Sequence, residues 1–422
     1  MTRPISALMF FNKPPKPMDF FDREARAQKQ TRRLLWLFSL AVLAVVFLSY
    51  LVLASIIWIF QHPMLHQAWW NPLMFLISAF FFYGGALVHP WQHLELIWNL
   101  PLFGWLTTGT LILIAAGCYY KIRLLSGGGP AVAELLGGRK IDDDPADLDE
   151  KKLCDVVAEM AIASGMAVPE IYVLDRERGI NTFAAGHTRE DVAIGITYGA
   201  MKLLTRDELQ GVIAHEFSHV LNGDTQLNMK LMGLAHGLAW PTIVGRVLVR
   251  GTAQPLGPDD SIFEAESDPI FLPTAPIGFL FLIMGSISSP FVRLIKSLVC
   301  REREWLADAA AVQFTRNPAG ISGAFKKIGG LLKQGRLDSP YAETASHLYF
   351  SNSTFDPWFG FMSTHPPLLK RILAVDPAFD GQFHHILSLP RPEVAEAAAY
   401  NKKYDENLRR AREEAKRLEE QE

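Results

Sequence analysis

Residues 207–224 read DELQGVIAHEFSHVLNGD, in which two histidines lie four residues apart and a glutamate directly follows the first. An α-helix repeats every 3.6 residues, so His215 and His219 would project from one face and bring two imidazole nitrogens to one ion. Glu216 would point about 100° away, where it can take a proton from a water in an open coordination position. The spacing is typical of a catalytic zinc site, although three polar residues on an ordinary helix give the same string.

The residues around this motif predict a helix over 206–222. Thr205 and Glu208 fit a capping box at its start, and Gly223 suits its end. The apolar residues that would bury this helix are Val212, Ile213, Phe217 and Val220. Upstream, the alternation in 169–175 and 181–204 predicts strands, so the sequence indicates an α+β, mostly helical fold.

A catalytic zinc usually takes three protein ligands, which leaves one ligand to be found beyond the two histidines. No third histidine follows at the spacing of the metzincin motif, and this favours a carboxylate. The helical pattern of residues 300–318 places Glu304 and Asp308 one turn apart on one face. One of the two could bind the ion while the other orients a ligating histidine.

Four segments together resemble a known family. They are NTFAAG (181–186), AHEFSHVLNGD (214–224), REREWLADAAAVQFTRNP (301–318) and STHPPLLKRI (363–372). With these segments in this order, the chain resembles the membrane-bound zinc metalloproteases that include the HtpX-like heat-shock proteases and the type I CAAX prenyl endopeptidases. The HtpX-like bacterial members are the better match. The resemblance spans roughly residues 150–375 and implies a zincin-type domain, in which the HExxH helix packs against a small edge sheet.

The resemblance also implies roles for individual residues. His215, His219 and Glu304 would bind one Zn²⁺ ion, Glu216 would act as the general base, and Asp308 would support a ligand. Of these, the two histidines and Glu216 agree with the reading of the helix itself.

Further positions would form the substrate cleft in such a protease. Asn181 and Phe183 would line the cleft on a strand that pairs with the substrate backbone, although Asn181 could instead form a turn. His365 would lie near the scissile carbonyl, where a donor to the oxyanion is worth about 3–4 kcal/mol. A histidine that caps the turn before Pro366 is the alternative, and Arg371 would brace the site.

Long apolar stretches indicate an integral membrane protein. Between Leu34 and Tyr120 the only formally charged residue is Glu95. Residues 34–60 and 101–120 are long enough to cross about 30 Å of hydrocarbon, whereas 73–87 is short and is interpreted as re-entrant or interfacial. Two later stretches, 231–249 and 270–292, predict a hydrophobic hairpin. Four crossings are expected, and a partly inserted hairpin is the alternative.

Basic residues predict how the chain is oriented. Those that precede the first span are Arg3, Lys13, Lys16, Arg23, Arg26, Lys29, Arg32 and Arg33. No lysine or arginine lies between the first two spans, and Lys121 and Arg123 follow the second. Because cytoplasmic flanks carry the excess of positive charge, both flanks should be cytoplasmic. We therefore expect a multi-pass protein of the cytoplasmic (inner) membrane whose active site faces the cytoplasm.

The sequence predicts five segments. They are a basic cytoplasmic N-terminus (1–33), a membrane domain with two transmembrane helices and an extracytoplasmic loop (34–123), a linker (124–151), a metalloprotease domain (152–390) that contains the hydrophobic hairpin 229–299, and a charged C-terminal helix (391–422). The glycine-rich start of the linker contains no phosphate-binding loop, since no Gly-Lys-Ser/Thr follows it.

Composition excludes some classes of partner and leaves one weak metal candidate. A formal net charge of −3 argues against a nucleic-acid partner, and three widely spaced cysteines do not suggest a disulfide framework. His62, His66, His89 and His93 form two His-Pro-x-x-His pairs in the extracytoplasmic loop. They could bind a second metal, or they could simply be interfacial histidines beside tryptophans.

The function that these features predict is that of an integral-membrane zinc endopeptidase. The resemblance implies that it cleaves membrane or misfolded proteins in quality control. Its expected partners are protein or peptide substrates and the lipid bilayer, and an oligomer is possible. The alternatives are CAAX-type processing and a non-catalytic membrane scaffold that keeps the fold. Against the scaffold, a purely structural zinc site has no need of the base Glu216 beside its first ligand.

Overall fold

The computed structural model describes residues 20–61, 99–142, 144–250, 274–331, 337, 345–351 and 363–386. The histidine pairs of the extracytoplasmic loop, the short apolar segment 73–87 and the charged C-terminal helix lie outside these residues.

Helices dominate the described residues, as the sequence predicts. They are α1 (Phe20–Gln61), α2 (Leu100–Leu124), α3 (Gly128–Leu135), α4 (Leu148–Ser164), α5 (Tyr198–Leu203), α6 (Arg206–Leu221), α7 (Asp224–Arg250), α8 (Ala275–Thr315), α9 (Pro318–Gly330) and α10 (Leu368–Val375). Together with one small mixed sheet they confirm the predicted fold class.

The sheet has four strands in the order β1-β2-β4-β3. Its strands are β1 (Arg139–Lys140), β2 (Glu170–Leu174), β3 (Thr182–Ala185) and β4 (Ala193–Thr197). β2 and β4 run parallel, while β1 and β3 pair antiparallel at the two edges. β3 pairs with β4 along one of its edges, with Thr182 opposite Ile196. Because β3 is the last strand in the order, its other edge points away from the sheet. Along that outer edge, Tyr349 forms an isolated antiparallel bridge with Phe183.

Residues 124–151, which we expected to form a linker, are part of the folded domain. Helix α3 lies within this range and packs its buried residues against β3 and β4, and β1 is an edge strand of the sheet. The glycines that suggested flexibility permit close contact instead. A Cβ atom on Gly129 would lie 2.3 Å from the Ala185 carbonyl oxygen, so only glycine lets α3 approach the sheet so closely.

Four of the described helices are long enough and apolar enough to cross a membrane. These candidate spans are Arg32–Ala54 in α1, Leu100–Leu124, which is α2, Asp224–Val249 in α7 and Ile277–Thr315 in α8. The second hydrophobic stretch of the hairpin and the helix that carries Glu304 form one continuous helix of 41 residues, α8. The number of candidate spans agrees with the four crossings expected from the sequence.

Helix α6 begins and ends close to the predicted positions. The Thr205 side chain accepts a hydrogen bond from the Glu208 N–H, and the Glu208 side chain accepts one from the Thr205 N–H, which is the predicted capping box. The helix ends at Leu221, one residue before the expected end. It is buried against α9, where a Cβ on Gly211 would lie 2.6 Å from the Ile321 nitrogen. Packing on this side fixes the rotation of α6 and therefore the direction of its histidines.

Candidate metal centre

Helix α6 directs His215 and His219 toward each other. Their ring centroids are 4.7 Å apart with the ring planes at 83°, and the two Nε2 atoms are 3.1 Å apart. Both side chains are buried. The one-turn spacing therefore brings the two nitrogens to one point, as the sequence predicted.

Helix α8 brings Glu304 to the same point. Its Oε2 lies 3.9 Å from His215 Nε2, and its Oε1 lies 3.6 Å from His219 Nε2. One ligand atom from each of the three residues lies within 4.8 Å of the other two. Ligands about 2.0–2.1 Å from a tetrahedral ion are roughly 3.3 Å apart, so the three side chains fit a single ion after small movements.

Each imidazole is oriented by a carboxylate on its other nitrogen. Asp308 Oδ1 lies 3.0 Å from His215 Nδ1, and Asp224 Oδ2 lies 2.9 Å from His219 Nδ1. A proton on each Nδ1 leaves both Nε2 lone pairs facing each other, an arrangement that a cation between them stabilises. The sequence indicated that Asp308 could orient a ligating histidine. It did not indicate the position of Asp224, whose only signal was its place in the segment AHEFSHVLNGD.

Arg371 contacts two of the carboxylates at the centre, those of Asp308 and Glu304. It is fully buried, donates hydrogen bonds of 2.8 and 2.6 Å to the two carboxylate oxygens of Asp308, and places Nη1 3.2 Å from Glu304 Oε2. Its positive charge offsets part of the negative charge that Glu304 and Asp308 bring into a buried site. The expectation that Arg371 braces the site agrees with these contacts.

His365 lies against Glu304. Its Nδ1 is 2.8 Å from Glu304 Oε2, and its Nε2 is 3.4 Å from the Ser346 carbonyl oxygen. None of the described residues donates a well-aligned hydrogen bond to Glu304 Oε2, although nitrogens of His365 and Arg371 lie within ion-pair distance. This carboxylate oxygen is therefore buried with its bonding capacity unfilled, which also fits a metal ligand.

Glu216 is held by a residue that sequence reasoning missed. The Thr182 hydroxyl donates a 2.7 Å hydrogen bond to Glu216 Oε1, and both side chains are buried. Thr182 lies between Asn181 and Phe183 in the NTFAAG segment, but nothing in the sequence pattern indicated that its side chain turns toward α6. Burial raises the pKa of Glu216 to about 7, and the Thr182 hydrogen bond opposes that rise.

The two histidines have different electrostatic environments. Burial lowers the pKa of His215 to about 4, so its ring is neutral at pH 7. Burial also opposes a charge on His219, but the hydrogen bond to Asp224 and the nearby carboxylates raise the pKa of His219 to about 9. A metal ion that binds to both rings must therefore displace a proton from His219.

Asn181 and Phe183, which we expected to line the substrate cleft, both have buried side chains. The Asn181 amide makes two hydrogen bonds to the backbone of Ser351, and the Phe183 ring lies 5.7 Å from the Tyr349 ring. Asn181 is therefore not a simple turn former. Its side chain binds the backbone of Ser351, in another segment of this same chain.

The chain is similar to known peptidases. The model of the family "Peptidase family M48" matches residues 147–378, which is more than half of the chain. A "Protease HtpX homolog" from Thermoanaerobacter pseudethanolicus is 32% identical over 220 residues, which cover 52% of this chain and 69% of that protein. Another from Streptococcus uberis is 28% identical over 313 residues, which cover 71% and 94%. The crystal structure of S. mikatae Ste24p aligns with 74% of this chain and 67% of its own at 17% identity, with a TM-score of 0.36.

The matched range contains the three converging ligands, the buried glutamate beside them and the edge strand β3. The chain belongs to peptidase family M48, as an HtpX-like membrane metalloprotease.

Proposed function

We propose that this protein is a zinc-dependent endopeptidase of the cytoplasmic membrane that cleaves peptide bonds in membrane or misfolded proteins. The observation that carries the proposal is the meeting of Glu304 with His215 and His219, because these ligands come from two different helices and lie beside a buried glutamate that ligates nothing. A purely structural zinc site has no use for that glutamate.

His215, His219 and Glu304 would hold the ion. Two neutral imidazoles and one carboxylate are a ligand set of catalytic zinc, and such an ion polarises a carbonyl group and lowers the pKa of a bound water. Asp308 and Asp224 would keep the imidazoles in the ligating tautomer, and each lies within hydrogen-bond distance of a ring Nδ1.

Glu216 would act as general base and then as general acid. Thr182 occupies Oε1, which leaves Oε2 to accept a proton from the attacking water and deliver it to the leaving amine. A pKa near 7 suits both transfers, since the carboxylate must gain and lose a proton in each cycle. His365 would lie near the scissile carbonyl as a donor to the oxyanion, and its position beside Glu304 supports this.

The edge strand β3 would align the substrate as an added strand. β3 is an edge strand whose Thr182 side chain reaches Glu216, and the amide of Asn181 binds a peptide backbone, that of Ser351. Phe183 would form part of the wall behind that backbone. The four candidate spans and the positive flanks of the first two favour an active site on the cytoplasmic side, close to the bilayer, and membrane proteins as substrates.

The test replaces Glu216 by Gln in the full-length protein. We expect Glu216→Gln to keep about one zinc per chain and to reduce casein cleavage by about 10³-fold or more, since the substitution removes the base and leaves the ligands. The matched control is Glu190→Gln, the same change at an exposed position of the same domain. A chelator should abolish cleavage by the wild-type protein, and added zinc should restore it. Unchanged cleavage by Glu216→Gln would contradict the mechanism, and zinc bound without any cleavage by the wild-type protein would favour the scaffold.

A further inference from the structure

A short segment of the chain already lies along the outer edge of β3. We call residues 345–351 the strap. The Phe350 N–H donates a 2.8 Å hydrogen bond to the Thr182 carbonyl oxygen, and Tyr349 forms an antiparallel bridge with Phe183. These are the backbone groups that an extended substrate would need if it paired with β3.

The Asn181 amide binds the strap through its backbone alone. Its Nδ2 donates to the Ser351 carbonyl oxygen at 3.2 Å, and its Oδ1 accepts from the Ser351 N–H at 3.1 Å. Such a pair of hydrogen bonds recognises a peptide unit and is independent of the side chain that the residue carries. Asn181 could therefore bind any extended peptide in this position.

The side chain of Phe350 fills a pocket beside the metal ligands. Its ring stacks on Phe325 with a centroid separation of 5.0 Å, meets the His215 ring edge-on at 4.9 Å, and lies 5.1 Å from the Arg371 guanidinium. Arg371 Nη1 also donates a 2.8 Å hydrogen bond to the Phe350 carbonyl oxygen. Phe350 thus has both backbone polar groups hydrogen-bonded, and its ring is enclosed next to His215.

We propose that residues 349–351 occupy the substrate groove as an internal peptide, and that the pocket now holding Phe350 selects a large apolar or aromatic side chain beside the cleaved bond. The proposal rests on the function proposed above. Two chains cannot share the hydrogen-bonding groups of one strand edge, so a substrate must displace the strap. Because the Phe350 ring touches a metal ligand, the substrate residue that replaces it lies within one residue of the bond that is cut.

Other residues of the strap contact the membrane helices and His365, whose Nε2 lies 3.4 Å from the Ser346 carbonyl oxygen. The His347 Nε2–H donates to the Asn228 carbonyl oxygen of α7 at 3.1 Å, and Lys296 Nζ of α8 donates to Ser346 Oγ at 3.3 Å. These contacts can hold one end of the strap on the membrane helices while residues 349–351 leave β3. In the groove, a substrate backbone and one apolar side chain can replace the backbone hydrogen bonds of Phe350 and Ser351 and the ring contacts of Phe350, while the Tyr349 ring and the Ser351 hydroxyl, which donates to the Ile180 carbonyl oxygen, leave with the strap.

Hydrogen exchange of the zinc-loaded Glu216→Gln protein tests the groove without cleavage. The probe is a synthetic peptide with the sequence of residues 346–352, SHLYFSN. We expect saturating peptide to slow amide exchange in β3 and to speed exchange at least tenfold in 348–351, since the peptide takes the partners of the strap. Exchange in 348–351 that stays unchanged or slows while β3 is protected would overturn the proposal. So would the absence of any change in both segments at millimolar peptide.

A second test measures KM and kcat for peptide cleavage by a variant with a weakened strap. Tyr349→Ala removes the ring contact with Phe183 and should weaken the strap, so we expect KM for peptide substrates to fall about threefold or more with kcat preserved. Tyr198→Ala, which removes a half-buried tyrosine ring from α5, is the matched control and should leave KM unchanged. A purely structural strap predicts the opposite, namely lower kcat/KM in Tyr349→Ala.

The residue preference is read from the sites cut in a peptide library. We expect Phe, Tyr or Leu to exceed Ala about tenfold, and Asp by more, at one fixed position next to the cut bond. An equal rate for Ala and Phe at that position would overturn the assignment of the pocket. If the wild-type protein cuts no peptide at all, the proposed protease function fails, and the exchange experiment still decides whether the strap occupies a peptide groove.

Discussion

At the scale of single residues, the metal centre depends on what lies behind each imidazole. His219 points its Nε2 at the centre because Asp224 accepts a hydrogen bond from its Nδ1–H, and Asp224 is in turn 3.3 Å from Arg303. A carboxylate in this position fixes the tautomer and raises the basicity of the ring.

Asp224→Asn should therefore weaken zinc binding by 10–100-fold while the fold is retained, since the amide keeps the shape but loses the charge. The measurement is the zinc affinity of the purified protein in competition with a chromophoric chelator. Asp191→Asn, at a carboxylate that caps a turn away from the site, is the control. Equal affinities for wild type and Asp224→Asn would mean that His219 is oriented by other groups.

Thr182 offers a second test at this scale. Thr182→Val removes the hydroxyl that holds Glu216 and conserves the side-chain shape, so we expect kcat to fall about 10- to 100-fold with KM and zinc content nearly unchanged. Thr182→Ser keeps the hydroxyl and should restore most of kcat. A loss of activity that serine fails to rescue would assign Thr182 to packing alone.

Some of these residues could be predicted from the sequence, and others could not. The spacing of His215 and His219 sets their common face through helix geometry alone. Glu304 was one of two carboxylates on a distant helix, and only the resemblance to a family distinguished it from Asp308. Asp224 and Thr182 had no periodic signal, because their roles depend on how α7 and β3 pack beside α6.

At the scale of elements, glycines set how closely neighbours approach. Gly211 of α6 lies against the start of α9, and a Cβ there would lie 2.6 Å from the Ile321 nitrogen. Backbone atoms cannot move aside as a flexible side chain can, so this contact fixes α6 against α9.

Gly211→Ala should destabilise the domain by about 1–3 kcal/mol, because α6 and α9 must separate to admit the methyl group. The measurement is the midpoint of thermal unfolding in detergent, followed by zinc content. Gly104→Ala in α2 is the matched control, because nothing lies within 4 Å of a Cβ at that helical glycine. Equal midpoints for the two variants would contradict the close contact between α6 and α9.

The segment 124–151 shows why composition wrongly predicted a linker in place of folded elements. Its glycines and acidic residues have the composition of a linker, and composition reports the flexibility of an isolated chain. In the folded protein Gly129 is the point of contact between α3 and the sheet, with its N–H bonded to the Asp191 carbonyl oxygen at 3.0 Å. The sequence does not show that Gly129 lies against the sheet, so the need for a residue without a side chain at this position becomes visible only in the fold.

At the scale of the whole molecule, candidate membrane spans and residues of the candidate metal centre lie on the same helices. Helices α7 and α8 are candidate spans, and they also carry Asp224, Glu304 and Asp308. The metal centre is therefore not a separate domain attached to an anchor, and its side of the membrane follows from the direction of these helices.

The charge distribution predicts that side. We expect a cysteine introduced at Gln67, between the first span and the apolar segment 73–87, to react with a membrane-impermeant maleimide in intact cells. A cysteine at Lys140, whose side chain is about half exposed, should react only after lysis. The background variant lacks the native Cys118, Cys154 and Cys300. The reverse pattern would place the metal centre outside the cytoplasm.

The continuity of α8 has a mechanical consequence. Pro290 interrupts the hydrogen bonding of this helix and is its natural pivot, about 21 Å along the axis from Glu304. A swing of about 5° at that pivot carries the carboxylate by about 2 Å, which is the length of a bond between zinc and oxygen. Because α8 is one continuous helix, a bend at Pro290 within its candidate membrane span would also displace Glu304 relative to His215 and His219.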